Sequence, residues 1–259
     1  MPRRVALPGL LVERLAHARS VGVITGAGVS AESGIQTYRG SGGLYDDPDE
    51  GDRTVEALSH HTLVRDPDRT WRTLADLARR AEGAEPNAGH RALVEIERRV
   101  ERFALLTQNV DGLHQRAGSR NVIDIHGTIF DTRCMGCDAP GRLEELGALA
   151  AAPRCARCGA ILRPDVVLFG ELLDPEKLRR VHEAFYVRVP EVVIVAGTTA
   201  LFPYIGEPVV LAREAGALTV EVNPEPTAVS QAAQVVLRAP AGEALPLLAE
   251  ALSRGAAGG

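Results

Sequence analysis

The sequence lacks any run of eighteen uncharged apolar residues, about the length that a helix needs to cross a lipid bilayer. It also lacks the apolar core of a secretory signal, because Glu13 and Arg14 closely follow the basic pair Arg3-Arg4. These two absences argue against a membrane-spanning or exported protein. We therefore expect a cytoplasmic protein with no membrane partner.

An excess of positive charge is missing as well. The 29 lysine and arginine residues are outnumbered by 34 aspartate and glutamate residues, and the net charge of −5 argues against a dedicated nucleic-acid-binding protein. A hydrophobic content of 45% and a charged content of 24% are ordinary for a soluble globular protein. At 259 residues, the chain is long enough for one large domain with a smaller attachment.

Cysteine is scarce, and its four copies fall into two close pairs. Cys134 and Cys137 form one Cys-x-x-Cys turn, Cys155 and Cys158 form another, and 17 residues separate the two turns. This spacing predicts a tetrathiolate Zn²⁺ site, with disulfides or four unrelated buried thiols as the alternatives. Four protein ligands leave no coordination position for water or substrate, so the predicted zinc is structural.

Apolar runs alternate with segments of helical periodicity, which predicts an α/β fold with a doubly wound parallel sheet. The predicted strands are residues 21–25, 103–107, 122–126, 192–196, 218–222 and 235–237. The predicted helices are residues 10–19, 71–81, 205–215 and 242–253, one helix after Pro86-Asn87 and one beginning at Asp174-Pro175. The polar stretch 36–56 predicts a mobile loop.

One glycine-rich turn lacks the third glycine of the dinucleotide-binding pattern Gly-x-Gly-x-x-Gly. Gly26-Ala27-Gly28 follows the first long strand, where glycine permits a tight turn and a close approach to a ligand. The turn is either an ordinary strand-to-helix connection or, with free amides and a helix start behind it, a pyrophosphate site. Polar residues and His126 end the other predicted strands, and parallel strands share one carboxyl edge. We therefore expect a ligand crevice at that edge.

A series of motifs runs in a fixed order over residues 21–241 and includes both cysteine pairs. Its other members are Gly26-Ala27-Gly28-Val29-Ser30, Gly34-Ile35-Gln36-Thr37-Tyr38-Arg39, Thr107-Gln108-Asn109-Val110-Asp111-Gly112-Leu113-His114, His126-Gly127, Arg163-Pro164-Asp165-Val166-Val167-Leu168-Phe169-Gly170-Glu171, Gly197-Thr198-Thr199 and Asn223-Pro224-Glu225. This series resembles the sirtuin family of NAD-dependent protein deacylases. Any single motif could occur by chance, whereas the ordered series could hardly do so.

The resemblance implies a single catalytic unit, residues 1–259, with a Rossmann-like large domain and a smaller zinc-binding and helical domain. The large domain would comprise about residues 1–36, 86–130 and 164–259. The small domain would comprise a helical insert, about residues 37–85, and a zinc module, about residues 131–163. NAD and an acyl-lysine protein or peptide would meet between the two domains.

The resemblance also implies the binding residues for both substrates. The residues that would contact NAD are Gly26, Ala27, Gly28, Ser30, Tyr38, Arg39, Gln108, Asn109, Asp111, His126, Gly197, Thr198, Thr199, Asn223, Glu225 and Ala241. Among them, Gln108, Asn109 and Asp111 would line the pocket for the nicotinamide ribose. Residues 166–170 would pair in extended form with the substrate peptide, which would add as a strand; the members singled out are Val166, Val167, Phe169 and Gly170.

His126 and Asn109 would be the catalytic residues. In the implied reaction, nicotinamide leaves C1′ of the ribose and the acyl oxygen of the lysine amide attacks there, which requires close alignment. His126 would act as general base on a ribose hydroxyl, a role that suits an imidazole. The products would be nicotinamide, free lysine and O-acyl-ADP-ribose. The alternative for His126 is a satisfied core histidine, which its position at a strand end beside Gly127 disfavours.

The other histidines have no comparable context. His114 is expected to support the loop that carries Asn109, and the remaining ones considered, which we expect at the surface, are His17, His60, His61 and His182.

Two departures from the family pattern are Gln36, where many sirtuins have proline, and Tyr38, where many have phenylalanine. A third concerns the acyl group. Sirtuins that prefer succinyl or malonyl lysine carry Tyr-x-x-Arg on the helix after the loop, and alignment places Leu74 and Leu77 at those positions. Because a buried carboxylate without a cation is costly, we predict an uncharged acyl group, unless Arg79 or Arg80 serves as the cation.

Two other functions remain open. A mono-ADP-ribosyltransferase would share the NAD pocket, but such sirtuin relatives typically lack a histidine at the catalytic position. A non-catalytic NAD sensor or an NADase module would leave the zinc module and the predicted peptide-binding segment without a purpose.

Overall fold

The computed structural model describes residues 5–38 and 43–256. The strands in these ranges are β1 (Ser20–Thr25), β2 (Arg102–Thr107), β3 (Val122–Asp124), β4 (Gly127–Cys134), β5 (Pro140–Arg142), β6 (Leu162–Val166), β7 (Val192–Ala196), β8 (Leu218–Val222) and β9 (Val235–Leu237). The α-helices are α1 (Gly9–Ala16), α2 (Pro48–Ala57), α3 (His60–Arg65), α4 (Pro67–Arg80), α5 (Ala88–Arg99), α6 (Leu113–Ala117), α7 (Pro175–His182), α8 (Pro203–Glu214) and α9 (Ala241–Ala256).

Six strands form one parallel sheet in the order β3-β2-β1-β7-β8-β9. The chain winds outward from β1 through β2 and β3 in one direction, and from β7 through β8 and β9 in the other. The order therefore reverses between β1 and β7. In open parallel sheets, ligands bind outside the carboxyl ends of the strands at such a switch point.

Both faces of this sheet are covered, which explains why its strands are apolar on both sides. Val21 and Val23 of β1 belong to the apolar cluster that contains residues of α1, α5 and α9. Ile24 belongs to the cluster on the opposite face, together with residues of α7 and α8. Gly22 makes room on that face, because a Cβ there would lie 2.7 Å from the ring of Phe185.

A second, three-stranded sheet is antiparallel, and β4 lies between β5 and β6. It shares an apolar cluster with the helical insert, in which Trp71 and Leu74 of α4 pack with Val166 and Leu168. Trp71 is fully buried, and its indole N–H donates to the carbonyl oxygen of Leu162 at 2.8 Å. Two segments that are remote in sequence thus share one core.

The predicted doubly wound parallel sheet is confirmed, and the predicted strands differ from the observed ones only at their ends. One difference matters for the site, since β3 ends at Asp124 and His126 lies beyond it. The predicted loop over residues 36–56 is wrong from Pro48 onward, where α2 begins. The Asp47 carboxylate caps the amides of Asp49 and Glu50, so a mostly polar segment is stabilised by its capping residues.

No helix in the described ranges is long and apolar enough to span a bilayer.

The ends of β1 and β7 meet through backbone contacts at the switch point. The amide of Gly26 donates to the Ala196 carbonyl at 3.3 Å, and that of Gly28 donates to the Gly197 carbonyl at 2.8 Å. Gly197 has a φ of +61°, and a Cβ on it would lie against the amide of Val29 and 2.6 Å from the carbonyl carbon of Gly28. Glycine is required here because two backbones touch.

We expect Gly197→Ala to lower the free energy of unfolding by about 2–4 kcal/mol, since it combines left-handed strain with a backbone clash. Urea unfolding followed by circular dichroism measures this change. Gly9→Ala is the matched control, because among the described residues no atom outside its own helix backbone and chain neighbours lies within 4 Å of a Cβ at that position. A Gly197→Ala protein as stable as the Gly9→Ala protein would contradict the proposed clash.

Candidate active site

After β1, the chain makes two successive 3₁₀ turns, Ala27–Val29 and Ala31–Ser33, instead of beginning an α-helix. The amides of Gly28, Val29 and Ser30 donate to carbonyl oxygens of the chain at 2.8, 3.1 and 3.0 Å. The prediction of a turn with free amides is therefore wrong for these three groups. The turn closes on itself and on the loop after β7, which leaves side chains to supply more of the polar surface.

A chain of hydrogen bonds joins the ends of β2, β7 and β8. Gln108, directly after β2, donates from Nε2 to Oγ1 of Thr198 at 2.7 Å. Asn223, directly after β8, donates from Nδ2 to the carbonyl oxygen of Thr198 at 3.1 Å. The structure thus gathers three of the predicted NAD-binding residues around the carboxyl end of β7.

A second cluster connects the 3₁₀ turns to the loop after β2. Ser30 donates from Oγ to Oδ2 of Asp111 at 2.7 Å and accepts from Nδ2 of Asn109 at 3.1 Å. The amide of Asn109 donates to Oγ1 of Thr107 at 3.1 Å. Ser30 itself is buried. The cluster offers hydroxyl, amide and carboxylate groups, a donor and acceptor set that suits ribose hydroxyls.

His126 lies two residues beyond β3, at the same edge of the sheet. Its Nδ1 lies 2.9 Å from the backbone carbonyl oxygen of Gln108, and its Nε2 lies 2.8 Å from the hydroxyl of Tyr204. Because a carbonyl oxygen can only accept, Nδ1 carries the hydrogen and the lone pair of the neutral ring is on Nε2.

Burial lowers the pKa of His126 below its ordinary value, although the contact with the Gln108 carbonyl opposes this shift. The ring is therefore neutral near pH 7, which is the form that a general base requires. Burial also raises the pKa of Tyr204 to about 12, so its hydroxyl keeps its hydrogen and is available to donate.

A lysine lies beside the strand that leads to His126. Lys177, the only lysine in the sequence, forms an ion pair with the Asp124 carboxylate at 2.9 Å and donates to the Asp124 carbonyl oxygen at 2.8 Å. After burial, its charge is a further cause of the lowered pKa of His126. The ion pair also connects α7 to the end of β3.

Two histidine rings face each other in the core near this site. His90 and His114 are buried, and their ring centroids lie 4.8 Å apart. Thr25 donates its only hydroxyl hydrogen to Thr107, so Nε2 of His114, at 2.9 Å from Oγ1 of Thr25, acts as the donor. The amide of Asn87 donates to Nδ1 of His90 at 3.3 Å. Each ring is therefore assigned a single neutral tautomer.

Burial lowers the pKa of His90 to about 4 and that of His114 to about 3. Through Thr25 and Thr107, His114 is linked to the amide of Asn109. His114 therefore supports the Asn109 loop, as predicted. The four histidines expected at the surface are exposed, namely His17, His60, His61 and His182.

The segment predicted to receive a substrate peptide follows β6 directly. The amide of Val167 donates to the carbonyl oxygen of His126 at 2.9 Å, so the segment passes beside the candidate base. From Leu168 the chain turns, because the amide of Glu171 donates to the Leu168 carbonyl at 3.0 Å and Gly170 has a φ of +86°. The segment is therefore extended as far as Phe169, which forms a parallel β-bridge with Ser59, and the predicted extended conformation is wrong only at Gly170.

This turn is attached to the helical insert. The amide of Phe169 donates to the Leu58 carbonyl, and the amide of His60 donates to the Phe169 carbonyl, both at 3.0 Å. Glu171 accepts two hydrogen bonds of 2.7 Å from the guanidinium of Arg163. Although burial opposes the shift, these bonds lower the pKa of Glu171 to about 2, so the carboxylate is charged at neutral pH.

Leu74 and Leu77 project from α4. Leu74 is buried in the cluster that contains Val166 and Leu168, and Leu77 packs at its margin. Leu77 also lines an open cavity of about 270 Å³.

Three arginines line the cavity beside Leu77, namely Arg53, Arg69 and Arg80. Arg69 pairs with Glu56 at 2.8 Å, and Arg80 pairs with Glu50 at 3.0 Å. Arg79 donates instead to the carbonyl of Gly147 at 2.5 Å and pairs with Asp76. Carboxylates therefore partner Arg69, Arg79 and Arg80, whereas the contact of Arg53 in the described part of the chain is with the Asp49 carbonyl oxygen at 2.9 Å.

The four cysteine sulfurs lie together, all within 4.8 Å of one another. Cys134 and Cys158 are 3.4 Å apart, Cys137 and Cys155 are 3.8 Å apart, and none of the four is in a disulfide. Sulfurs at the corners of a tetrahedron with Zn–S bonds of about 2.3 Å would be about 3.8 Å apart. The donor set therefore fits a structural Zn²⁺.

Other predicted NAD residues lie after β7, after β8 and at the start of α9. The amide of Glu225 donates to Oδ1 of Asn223 at 3.2 Å, and Thr199 is exposed. Ala241 begins α9, where the amide of Gly242 lies 2.5 Å from a carboxylate oxygen of Glu32.

The predicted residue Tyr38 is the last described residue before the gap, and its ring centroid lies 5.7 Å from that of Tyr45. Arg39 lies outside the described residues.

Sequence reasoning missed two residues of this region, His90 and Tyr204. His90 had a usable signal, since Asn87 and His90 stand at the spacing of a capping box, and the structure has that box at the start of α5. Tyr204 had a weaker signal, which is its place in the first turn of the helix after β7. Only the tertiary structure brings it to His126.

The fold and the site together define a class, a Rossmann-like α/β protein with polar residues gathered at its switch point and a four-cysteine cluster that fits a metal ion. The Sir2 family model matches residues 26–202, which is more than half of the chain. This chain belongs to the Sir2 family.

Curated relatives support this assignment. The chain is 43% identical over 251 residues to "NAD-dependent protein deacylase 2" of Pseudomonas aeruginosa, covering 94% of this chain and 95% of the relative. It is 41% identical over 249 residues to "NAD-dependent protein deacylase 2" of Pyrobaculum aerophilum, again with 94% and 95% coverage.

Solved structures agree. A mutant Sir2 homologue in complex with ADP-ribose superposes with a TM-score of 0.89 at 36% identity, covering 98% of this chain and 99% of the other. A Sir2 homologue in complex with NAD superposes with a TM-score of 0.85 at 36% identity, covering 96% and 95%.

We expect His114→Gln to make stability less sensitive to acid. In the unfolded chain this ring takes up a proton near pH 6.5, whereas the folded ring takes one up only near pH 3, so the histidine destabilises the fold as the pH falls below 6.5. Its contribution is about 1.4 kcal/mol per pH unit. Urea unfolding at about pH 6 and at about pH 5 gives the change in the free energy of unfolding per pH unit. This change should be smaller by that amount in the variant.

The matched control is His182→Gln, which alters an exposed histidine. His114→Gln and wild-type proteins with the same dependence of unfolding free energy on pH would contradict the neutral, buried assignment.

Proposed function

We propose that this chain is an NAD-dependent protein-lysine deacylase, which transfers the acyl group to ADP-ribose and releases nicotinamide. The observation that carries the proposal is His126, a neutral ring whose lone pair lies on Nε2 at the carboxyl edge of the sheet. The names of the curated relatives support the proposal. Solved homologues with NAD or ADP-ribose support the choice of co-substrate.

NAD, when bound, supplies an electrophilic ribose carbon and nicotinamide as the leaving group. The side chains of Thr198 and Asn223 would hold its adenosine side, while Gln108, which donates to Thr198, would lie on the side of the nicotinamide ribose. Asn109 and Asp111, which Ser30 holds in place, would bind the hydroxyls of the other ribose. The remaining residues assigned to NAD are Gly26, Ala27, Gly28, Tyr38, Arg39, Gly197, Thr199, Glu225 and Ala241.

His126 would take a proton from a ribose hydroxyl at Nε2. The Gln108 carbonyl, which accepts from Nδ1, would stabilise the positive charge that the ring then gains. Asn109 would align the reacting groups, and its fixed amide makes that alignment possible without reorganisation.

The acyl-lysine peptide would lie along residues 166–170, where backbone hydrogen bonds give affinity with little demand on sequence. Val166 and Val167 would offer the extended part. Pairing with Phe169 and Gly170 requires the turn that Glu171 closes to open. The peptide would thereby reach the side of the crevice where Val167 contacts His126.

The acyl group would be uncharged, with acetyl first. Leu74 and Leu77 present apolar side chains, and Arg80 is paired with Glu50. A succinyl carboxylate beside these leucines would therefore lose its hydration without a cation from Arg80 to offset that loss.

The zinc would stabilise the small module and take no part in the reaction. Four thiolate ligands for zinc require a reducing compartment, which supports the cytoplasm as the location of this protein. Neither a membrane nor a nucleic acid is a proposed partner.

The decisive experiment incubates the protein with an acetyl-lysine peptide and NAD. Free lysine and nicotinamide should form in equal amounts. His126→Ala should lower the rate by at least about 100-fold, since it removes the base, while ADP-ribose still binds in calorimetry. His182→Ala serves as the control and should deacetylate like the wild type.

Nicotinamide release without free lysine would refute the deacylase assignment. Transfer of labelled ADP-ribose from NAD to the protein would then indicate a mono-ADP-ribosyltransferase. Turnover by His126→Ala within a few-fold of the wild type would refute the role of His126 as base.

The acyl preference has its own test. The double change Leu74→Tyr with Leu77→Arg should raise the ratio of desuccinylation to deacetylation by about tenfold, because the new guanidinium pairs with the succinyl carboxylate. The rates are measured on matched peptides by mass spectrometry.

Leu77→Met is the control, since it keeps an apolar side chain of similar volume. If the ratio of desuccinylation to deacetylation is unchanged in the double variant, the alignment that places Leu74 and Leu77 at the Tyr-x-x-Arg positions is wrong. Desuccinylation by the wild type that is lost in Arg80→Gln would show instead that Arg80 recognises the carboxylate.

A further inference from the structure

Both ring nitrogens of His126 are occupied by groups of this chain. Nδ1 donates to the Gln108 carbonyl, and Nε2 accepts from the hydroxyl of Tyr204 at 2.8 Å. A neutral imidazole has one lone pair in the plane of its ring, and here that lone pair is on Nε2. The hydroxyl of Tyr204 therefore stands at the position that a substrate hydroxyl must reach in order to give up its proton.

Tyr204 is held beside the ring by neighbouring aromatic groups. Its ring stacks on that of Phe202, with centroids 5.4 Å apart and an interplanar angle of 15°. The rings of both residues are nearly perpendicular to that of His126, at centroid distances of 6.1 and 6.4 Å. Phe202 is half exposed, so the pair stands at the solvent side of the histidine.

The loop that leads to Tyr204 is connected to the predicted NAD site by a closed path of contacts. Thr198 accepts on Oγ1 from the side chain of Gln108 at 2.7 Å and from the amide of Ala200 at 3.1 Å. Ala200 has a φ of +52°, an uncommon conformation for alanine, and α8 with Tyr204 begins three residues later. Gln108 in turn contacts His126 through its carbonyl, so the path returns to the ring that Tyr204 touches.

We propose that Tyr204 is a positioning residue that occupies Nε2 of His126 in the free enzyme and is displaced there by a ribose hydroxyl of the co-substrate. The inference rests on the proposed function, because it takes His126 as the base that meets a ribose. One hydrogen bond to Nε2 is broken and one is formed. Breaking the first bond therefore offsets part of the binding energy of the distal ribose, the one that carries nicotinamide in NAD. The ring keeps its tautomer throughout, because the Gln108 carbonyl stays on Nδ1.

The test compares wild type with Tyr204→Phe, using ADP-ribose and ADP as probes in calorimetry. ADP lacks the distal ribose and so serves as the matched ligand control. Tyr204→Phe removes the hydroxyl that must be displaced, so ADP-ribose no longer breaks a hydrogen bond when it binds. Its affinity should therefore be tighter by about 2- to 10-fold, which is the equivalent of one hydrogen bond. The affinity for ADP should be the same in both proteins.

Kinetics supply a second measurement. The tighter binding of Tyr204→Phe should appear as a lower KM for NAD, because the Tyr204 hydroxyl is displaced in the binding step. Tyr186→Phe is the matched variant, because it removes a tyrosine hydroxyl whose partner is the exposed Glu207 and which lies outside the site. Thermal unfolding of both variants shows whether the fold is retained.

Four outcomes would overturn the inference. Equal affinity of wild type and Tyr204→Phe for ADP-ribose would mean that the hydroxyl is not displaced, and weaker affinity would mean that it binds the ligand. A kcat that falls tenfold or more would assign to Tyr204 the transfer of the proton. Failure of the wild type to bind ADP-ribose would overturn this inference and the proposed function together, whereas a wild type that binds but does not deacylate would overturn only the proposed function.

Discussion

The site depends on the backbone contact between the ends of β1 and β7. Gly28 and Gly197 lie so close that neither could carry a Cβ without a shift of main chain. The loops that follow the two strands therefore start from a common point at the switch point of the sheet, and each carries its polar residues away from it. Ser30 lies on one side and Thr198 on the other, and Gln108 from the neighbouring strand spans between β1 and Thr198.

Around this contact, the polar groups are held mostly by neutral hydrogen bonds. His126, His90 and His114 are all uncharged near pH 7, because burial disfavours their charged forms. The site also contains the Asp111 carboxylate, which accepts from Ser30, and two ion pairs stand beside it, Lys177–Asp124 and Arg163–Glu171. Polar groups held in fixed orientations can respond to charge that develops on a bound substrate without first being reorganised.

Local patterns in the sequence predicted the parallel sheet, the zinc cluster and the position of His126 at the carboxyl edge. Each of these depends on a short-range signal, namely an apolar run, a Cys-x-x-Cys spacing or the residue that follows a strand. The helix α2 was missed because its apolar content is low and its stability comes from Asp47 and Pro48 at its start. The turn at Leu168 was missed because it depends on a hydrogen bond between residues of a motif that otherwise suggests a strand.

What the sequence could not predict is which groups touch across long separations. The amides of Gly28, Val29 and Ser30 looked available because nothing local showed that they would be used by the chain itself. Tyr204 is 78 residues from His126, and no pattern in either segment relates the two. Residue spacing predicts secondary structure well, whereas a pair that meets through the packing of a whole sheet requires the tertiary structure.

The ion pair between Lys177 and Asp124 has a chemical consequence beyond its place near His126. The sequence contains 29 basic residues, and Lys177 is the only one with an aliphatic amine. Its side chain is only 25% exposed and its ammonium group is engaged by a carboxylate and a carbonyl oxygen. Reactive acyl thioesters and acyl phosphates, which modify unprotonated amines, therefore find one side-chain amine in this protein, and that amine is shielded.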